Sequence, residues 1–314
     1  MAWTPDDIPD QSGRVAVVTG ANGGLGLEAA RELARNGAHV VMAARNLDKA
    51  AEAERDIRTG NADALVETVK LDLSSQESVK RAAAQIRAAH PRIDILINNA
   101  GVMATPESRT EDGFELQLAT NHLGHFTLTA GLLPALLAAP QARVVSVTST
   151  ARHMGRPVDP DNPHLHGRYE PWRAYGQSKL ANLHFAIELH RRLAAAGATA
   201  ASLVAHPGLS NTDLQASSVV NTGRPTQRIA HVAARYIGMP AARGAHPQLR
   251  AATDPGARSG ELYAPRFVNN GPAVRRPLFA RSVRPQDTRL LWEVSERETG
   301  VKFDVAAAAR DASP

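Results

Sequence analysis

The chain has 314 residues, of which 43% are hydrophobic and 21% charged, and its formal net charge is +5. This composition is typical of a soluble globular protein, and the length allows one large α/β domain or two small ones. Cysteine is absent, which excludes disulfides, thiol catalysis and cysteine-based metal sites. Residues 1–13 lack the basic and apolar character of a secretion signal, and the longest apolar stretch, 126–139, is too short to span a bilayer. We therefore expect a cytoplasmic protein without a membrane span.

The first predicted strand and helix flank a glycine-rich turn. Residues 15–18 are apolar, residues 19–26 read Thr-Gly-Ala-Asn-Gly-Gly-Leu-Gly, and a helical run follows. Glycines let the backbone turn sharply and approach a ligand, and the free N–H groups of the helix attract a pyrophosphate. The segment therefore predicts the start of a dinucleotide-binding fold. The cofactor contacts predicted in this turn are Gly20, Asn22, Gly24, Leu25 and Gly26.

The second predicted strand, residues 38–44, bears on the choice of dinucleotide. An acidic residue at its end would bind the ribose 2′-hydroxyl of NAD, but Arg45 follows instead. A guanidinium suits a 2′-phosphate, so we predict NADP(H) binding in preference to NAD(H). The alternative interpretation of Arg45 is an ordinary exposed loop arginine.

Strands and helices alternate along the rest of the chain. Further strands are predicted at 64–71, 93–97, 143–149, 200–205 and 260–265, and helices at 46–58, 112–137, 172–196 and 288–298. Another helix is predicted after Ser74, with Ser74 and Glu77 forming a capping box. The alternation predicts an α/β fold, a single doubly wound Rossmann-type domain with a parallel sheet of about seven strands and helices on both faces. In that fold residues 13–150 form the nucleotide-binding half, 151–265 the catalytic and substrate half, and 266–314 a C-terminal extension.

Three segments are less regular. Residues 151–171 form a polar insertion with three histidines, for which we predict no metal site because an acidic second shell is missing. Residues 213–250 are punctuated by Gly and Pro and are predicted to form a substrate lid. Residues 266–289 carry six arginines and one acid, which indicates a solvated face or an anion or partner site. Aromatic residues are not interleaved as in a nucleic-acid platform, so we expect no nucleic-acid partner.

The chemistry is predicted from three residues. Tyr175 and Lys179 are four apart on a predicted helix, so their side chains share one face. A neighbouring ammonium favours the phenolate and lowers the pKa of a tyrosine from about 10 toward neutrality. Ser149 ends a predicted strand and can donate a hydrogen bond to a substrate oxygen. Taken alone, the tyrosine–lysine spacing is also compatible with a chance pair on a helix surface.

Together these motifs resemble the short-chain dehydrogenase/reductase family over about residues 13–265. The matching positions, in family order, are the turn at 19–26, Asn98-Asn99-Ala100-Gly101, Asn121, Ser149, Tyr175 with Lys179, and Pro207-Gly208. Residues 121–126, Asn-His-Leu-Gly-His-Phe, and the wide gap between Ser149 and Tyr175 are similar to the retinol-dehydrogenase-like and protochlorophyllide-reductase-like branch.

The resemblance implies a role for each matching residue. Tyr175 would be the general acid/base, and Lys179 would lower its pKa and hold the nicotinamide ribose. Ser149 would orient the substrate oxygen, and Asn121 would support a water that relays protons through Lys179. The other implied cofactor contacts are Asp72 and Leu73 at the adenine, Asn99 and Ala100 at its ribose, Gly101 after them, and Pro207 and Thr212 at the nicotinamide end.

We therefore predict an NADP(H)-dependent oxidoreductase that interconverts an alcohol and a carbonyl of a small, lipophilic substrate. The alternatives are a catalytically silent NADP(H)-sensing protein and a protochlorophyllide-type double-bond reductase. The sequence leaves open the substrate, the physiological direction and a homo-oligomeric state. Residues 213–250 are rich in Arg, Asn, Thr and Ser, so a retinoid substrate is not inferred.

Overall fold

The computed structural model describes residues 2–209 and 239–311 of the chain. Eight strands in these residues form one sheet: Val15–Thr19 (β1), His39–Ala44 (β2), Val66–Lys70 (β3), Ile95–Asn98 (β4), Arg143–Val147 (β5), Ala201–Ala205 (β6), Leu262–Pro265 (β7) and Ala273–Arg276 (β8). Their order is β3-β2-β1-β4-β5-β6-β7-β8. All neighbouring strands are parallel except β7 and β8. The predicted Rossmann-type sheet is thus confirmed.

Helices connect the parallel strands and cover both faces of the sheet. Those in the described ranges are Gly24–Arg35 (α1), Leu47–Gly60 (α2), Gln76–Ala89 (α3), Leu116–Leu118 (α4), Gly124–Leu137 (α5), Pro171–Ala195 (α6), Ala241–Thr253 (α7), Pro285–Thr299 (α8) and Val305–Asp311 (α9). A π-helical segment, Ala119–Leu123, joins α4 to α5. Short 3₁₀ turns occur at Pro5–Asp7, Thr150–His153 and Ala280–Ser282.

Helices can cover both faces of the sheet because the strands carry apolar side chains on both faces. Val17 and Val41 belong to a buried core that also contains residues of α3, α5, α6 and α8. Their neighbours Val18 and Val40 belong to a second core, with α1, α2 and α7. Alternation along a strand sends successive residues to opposite faces, so one apolar run supports both layers. The carboxyl ends of β1 and β4, where the strand order reverses, lie between the layers and are the expected ligand side of the sheet.

The structure corrects several details of the predicted elements. The sheet has eight strands instead of about seven, because β8 pairs antiparallel with β7. The cap of α3 is Ser75, whose Oγ accepts from the Ser78 N–H at 3.3 Å. Ser74 instead donates to Asp72 Oδ1 at 2.6 Å, so the capping box predicted at Ser74 is wrong. The predicted helix 112–137 begins only at Leu116 and contains the π segment.

Part of the predicted lid is regular structure. Ala241–Thr253 is the helix α7, and its Gln248 Nε2 donates to the Leu25 carbonyl in the first turn of α1 at 3.0 Å. This end of the segment is therefore packed on the nucleotide-binding half. Residues 213–238, which carry the rest of the lid prediction, lie outside the described residues. Among the helices that the structure describes, none has the length and apolarity needed to cross a membrane.

Candidate active site

The glycine-rich turn leads from β1 into α1 at the carboxyl end of the sheet. Gly20 has φ +67° and Gly24 has φ +53°, a backbone region that glycine adopts without strain. Gly26 lies inside α1, where a Cβ would meet the Gly20 carbonyl oxygen at 2.3 Å. Since α1 begins at Gly24 after the glycine cap Gly23, its first N–H groups face the turn without a side-chain cap. This arrangement offers N–H donors and a positive dipole end to an anion.

Thr19 connects this turn to the loop after β4. Its Oγ1 accepts from the N–H groups of Asn99 and Ala100 at 2.9 and 3.0 Å, and the Asn99 amide donates to the Thr19 carbonyl at 2.9 Å. The buried His125 lies 2.9 Å from Thr19 Oγ1 through Nε2 and 2.9 Å from the Asn121 carbonyl through Nδ1. Burial lowers the pKa of His125 to about 4, so the ring is neutral. Because a carbonyl only accepts, Nδ1 carries the proton and Nε2 accepts from the Thr19 hydroxyl.

Asn121 lies in the π segment and is fully buried. Its Oδ1 accepts from the Val102 N–H at 2.7 Å, while its Nδ2 donates to the Val102 carbonyl at 2.9 Å and to Ser178 Oγ at 2.8 Å. A Cβ at Gly101 would meet Asn121 Oδ1 at 2.8 Å and Lys179 Nζ at 3.3 Å. The glycine therefore leaves a small open space that both polar groups border. A π segment inside a helix frequently marks a functional site.

Tyr175, Lys179 and Ser149 are brought together as the sequence predicts. Tyr175 and Lys179 lie on α6 and are 6% and 4% exposed, and Lys179 Nζ is 5.9 Å from the centre of the Tyr175 ring. The Tyr175 phenol lies near enough to the Ser149 side chain for that hydroxyl to lower its pKa slightly. Ser149 follows β5 and caps the 3₁₀ turn Thr150–His153, accepting from the Ala151 N–H at 3.2 Å. Hydroxyl, phenol and ammonium thus share one buried corner.

The pKa values in this corner are set mainly by burial. Loss of water contact raises the pKa of Tyr175 to about 12, against the smaller lowering effect of the Ser149 hydrogen bond. The same cause lowers the pKa of Lys179 to about 8. The Lys179 ammonium has three donors, and its one hydrogen bond within the described ranges goes to the Val147 carbonyl at 3.3 Å. The predicted lowering of the Tyr175 pKa by Lys179 is therefore not the dominant effect in this structure.

Two glycines outside the predicted set allow Ser149 to approach Tyr175. Gly155 follows the 3₁₀ turn, and Gly176 is next to Tyr175 on α6. A Cβ at Gly155 would meet the Gly176 carbonyl carbon and oxygen at 2.3 Å. The two backbones are thus in direct contact, which holds the segment after Ser149 against α6.

The predicted adenosine end of the site is more exposed and carries two neighbouring cations. Arg45 is exposed directly after β2, and its carbonyl accepts from Lys70 Nζ at 2.6 Å. The sheet register pairs Ala44 with Lys70, so a second cation lies beside Arg45. Asp72 is partly buried and accepts from the Ser74 N–H and hydroxyl, and Leu73 is buried. Sequence reasoning missed Lys70, whose signal would have been its place at the end of the third strand.

The run 121–126 acts as a structural connector around Asn121. His122 Nε2 lies 2.7 Å from Ser295 Oγ of α8, and Phe126 packs against Trp292 and Phe303. Gly124 allows α5 to approach β3, because a Cβ there would meet the Leu73 carbonyl at 2.4 Å. His122, Gly124 and Phe126 thus each contact a different segment of the chain, and these contacts hold Asn121 in position.

A cleft of about 250 Å³ lies beyond the 3₁₀ turn that follows Ser149. It is lined by three arginines, Arg152, Arg281 and Arg284, and by Leu180 and His184 of α6. Arg284 is paired with Asp287 at 2.7 Å, whereas Arg152 and Arg281 have no carboxylate partner in the part of the chain that the structure describes. Arg152 Nη1 donates to the Ser149 carbonyl at 3.0 Å. The arginine-rich segment thus contributes Arg281 and Arg284 to a cleft whose Arg152 is bonded to the Ser149 backbone.

The remaining predicted residues lie at the edges of the site. Asn22 is in the glycine-rich turn, Leu25 is in the first turn of α1, and Gly101 follows the loop held by Thr19. Pro207 follows β6, and the next residue, Gly208, has φ +74° and lies against the Asn269 carbonyl. Thr212 lies outside the described residues. His164, from the polar insertion, binds Glu298 at 3.0 Å and stacks on Phe114.

The chain matches the family model described as short chain dehydrogenase over residues 14–222. The chain belongs to the short-chain dehydrogenase family. Among curated relatives, it is 44% identical to retinol dehydrogenase 13 of Homo sapiens over 203 residues, 64% of this chain and 60% of that protein. It is 39% identical to a short-chain dehydrogenase/reductase of Armillaria gallica over 306 residues, 94% of this chain and 93% of that protein. These relatives support the retinol-dehydrogenase-like branch.

The chain covers less than two thirds of the length of the human retinol dehydrogenases that it matches, 60–63%. Solved structures of the family share its fold. A crystal structure of an uncharacterized protein from Mycobacterium Paratuberculosis has a TM-score of 0.80 and 40% identity, covering 96% of this chain and 99% of that chain. A gluconate 5-dehydrogenase from Beutenbergia cavernae, solved with bound NADP, has a TM-score of 0.64 and 26% identity, covering 81% of this chain and 95% of that chain.

Proposed function

We propose that this short-chain dehydrogenase is an NADP(H)-dependent oxidoreductase that interconverts an alcohol and a carbonyl. The observation that carries the proposal is the corner in which the Ser149 hydroxyl lies next to the buried side chains of Tyr175 and Lys179. A hydroxyl and a phenol that face one space can both bind a single substrate oxygen. An ammonium next to them favours negative charge on that oxygen or on the phenol.

The residues present fit a nicotinamide dinucleotide phosphate. The first turn of α1 offers N–H groups to the pyrophosphate, and the unused donors of Lys179 suit ribose hydroxyls. Arg45 and Lys70 are the two cations that would hold a 2′-phosphate in this proposal, and Arg45 has no ion-pair partner within the described ranges. The Beutenbergia cavernae relative, whose name describes it as NAD(P)-dependent, also binds NADP.

The bound cofactor supplies a hydride for reduction and accepts one in oxidation. The chain's own residues handle the proton and the substrate oxygen. Ser149 Oγ donates to the carbonyl oxygen, and Tyr175 Oη gives that oxygen a proton as negative charge develops. A phenol whose pKa is raised to about 12 keeps its proton at neutral pH, so it is present as the acid that the reduction of a carbonyl needs. In this scheme Asn121 holds the backbone at Val102 and the hydroxyl of Ser178 on the side from which Lys179 is re-protonated.

Two observations bear on the substrate. The names of the human relatives refer to retinol, so we infer a lipophilic alcohol or aldehyde. The cleft lined by Arg152 and Arg281 favours, within that class, molecules that also carry a carboxylate. We propose residues 151–265 as the catalytic and substrate half, with the extension 266–311 contributing the Arg281 side of this cleft.

The test is a screen for NADPH oxidation by the full chain against aldehydes, ketones and enones. It includes aldehydes matched in length with and without a terminal carboxylate. The proposal predicts turnover of a carbonyl that is lost in Ser149→Ala, with NADPH preferred to NADH. NADPH binding without turnover of any compound would support the sensing alternative, and reduction of the enone double bond alone would support the double-bond reductase.

A further inference from the structure

A second cluster of reactive side chains lies at the opposite, amino end of the sheet. One potential ligand atom of each of His39, Glu67 and His90 lies within 4.8 Å of those of the other two. His39 Nε2 is 3.5 Å from Glu67 Oε1, and His90 Nε2 contacts the same oxygen. The two imidazole rings meet edge to face, with centroids 4.9 Å apart. We call these three residues the amino-end cluster.

The fold brings the cluster together from three separate elements. The register of β2 and β3 pairs Val41 with Glu67, so their side chains share one face of the sheet. His39 is two residues before Val41 and therefore lies on that same face. His90 caps the carboxyl end of α3, where its N–H bonds the Ile86 carbonyl at 2.8 Å. Ile86 and Val41 share one buried core, which places the end of α3 over the start of β2.

Two imidazoles and one carboxylate form a donor set that Zn²⁺ takes in proteins. Ligand atoms about 2.0–2.2 Å from a tetrahedral zinc are roughly 3.4 Å apart, close to the 3.5 Å between His39 and Glu67. The side chains of His39, Glu67 and His90 are 35%, 41% and 11% exposed. A cation can therefore enter from solvent and keep water in its remaining position, while His90, the least exposed of the three, anchors it to α3.

The competing explanation is a hydrogen-bonded trio without a metal. A carboxylate can accept from both imidazoles, and such pairs at a partly exposed edge add little to stability. A bound cation would replace these hydrogen bonds with three ligand bonds, from atoms that already lie within 4.8 Å of one another on rings and a carboxylate held by different elements. The two explanations differ in what added zinc does to the protein.

We propose that His39, Glu67 and His90 bind one Zn²⁺-class divalent cation that ties β2, β3 and the end of α3 together. The site is separate from the predicted reaction site. His39 begins β2 and Arg45 follows its last residue, so the two lie about 20 Å apart along the strand. The cation would therefore stabilise the fold without contacting substrate or dinucleotide. Binding to the native state alone raises its stability in proportion to the logarithm of the free cation concentration.

The test uses untagged full-length protein freed of metal by a chelator. Calorimetric titration with ZnCl₂ should give one site, and zinc should raise the Tm, whereas MgCl₂ should do neither because Mg²⁺ prefers oxygen ligands. Glu67→Gln and His90→Gln should each weaken zinc binding at least tenfold and remove the shift in Tm. His39→Gln is a third variant, in case one of these fails to fold by circular dichroism. Co²⁺ should give the visible absorption of a nitrogen–oxygen site in wild type only.

Two matched controls address the other surface histidines and carboxylates. Glu77→Gln removes an exposed carboxylate on α3 that pairs with Arg81, and His166→Gln removes a histidine that contacts Arg109. Both should bind zinc as wild type does. Zinc affinity unchanged in Glu67→Gln and His90→Gln, or lost equally in the controls, would overturn the proposal. Absence of any zinc-dependent change in the Tm of wild type would overturn it as well.

Discussion

The two ends of the sheet hold their polar side chains in different ways. At the carboxyl end, Asn121, Tyr175 and Lys179 are buried and bonded to neighbouring loops or helices. At the amino end, His39 and Glu67 are more than one third exposed and contact chiefly the other members of their cluster. Groups that the fold itself orients are already in place before a ligand binds. Side chains that contact chiefly one another become ordered when a ligand binds between them.

This difference predicts different consequences of mutation. Loss of a carboxyl-end group should change turnover or dinucleotide affinity, because the surrounding loops keep their shape. Loss of an amino-end group should change only stability, and only when zinc is present. The predictions that follow concern the carboxyl end, where preorganisation makes each effect specific to one step. They run from the largest expected effect to the smallest.

Tyr175→Phe should cause the largest loss. The substitution removes only the hydroxyl that lies near Ser149, and general acid–base catalysis contributes about 10²–10⁴-fold. Turnover of the best carbonyl substrate should fall by that factor while NADPH affinity, measured by fluorescence titration, stays within about twofold. Tyr169→Phe is the matched control, since the Tyr169 hydroxyl bonds Thr105 and Gln117 away from the reacting groups. Near wild-type turnover by Tyr175→Phe would contradict the assignment of Tyr175 as the general acid.

Arg45→Asp should separate the two dinucleotides. Loss of a charge-assisted phosphate contact costs roughly 1.5–3 kcal/mol, or about 10–150-fold in NADPH affinity. NADH has no 2′-phosphate, so its affinity should stay equal or improve. Parallel titrations of both cofactors measure the ratio directly. Arg55 is an exposed arginine of α2, so Arg55→Asp makes the same charge change and should leave the ratio of NADPH to NADH affinity unaltered. Equal binding of NADH and NADPH by the wild-type protein would contradict the predicted preference.

Gly26→Ala should destabilise the fold as well as weaken NADPH binding. Its Cβ would meet a backbone oxygen at 2.3 Å and Asn99 Nδ2 at 2.7 Å, and the oxygen cannot move without shifting the turn. Overpacking of this kind costs roughly 1–3 kcal/mol, measured as the free energy of unfolding in urea. Gly60→Ala, at the end of α2, has open space around its Cβ and should be close to neutral. A fully stable Gly26→Ala protein would show that the turn is not preorganised.

The sequence predicted most of the carboxyl end because local patterns determine it. Apolar runs placed the parallel strands, and a spacing of four placed Tyr175 and Lys179 on one face of α6. β8 was missed because Ala273–Arg276 is half charged, and its pairing with β7 comes from the sheet edge. The cap of α3 was placed one residue early, since two serines stand side by side and only the backbone conformation selects Ser75.

Contacts between distant segments could not be predicted in the same way. His125 and Thr19 are 106 residues apart, and no periodicity links them. The amino-end cluster depends on the register of β2 with β3 and on where α3 ends, so its histidines had no visible relation to each other or to Glu67. The raised pKa of Tyr175 likewise comes from burial, which a helical spacing does not reveal. The sequence thus predicted the proximity of Tyr175, Lys179 and Ser149 more reliably than the pKa values of these groups.

The smallest expected effect concerns Lys179, and it tests directly whether water is excluded from this side chain at the carboxyl end of the sheet. Burial lowers its pKa to about 8, whereas in the unfolded chain the pKa stays near 10.4. Between pH 8 and 10 the unfolded state therefore binds more protons than the native state, so the free energy of unfolding rises with pH. Relative to Lys179→Met, wild type without dinucleotide should gain about 2 kcal/mol across this window, as measured by urea unfolding at several pH values. The opposing ionisation of Tyr175 begins only above about pH 10 in the unfolded chain. A difference between the two proteins that does not vary with pH would mean that Lys179 is hydrated, and the contrast between the two ends would then disappear.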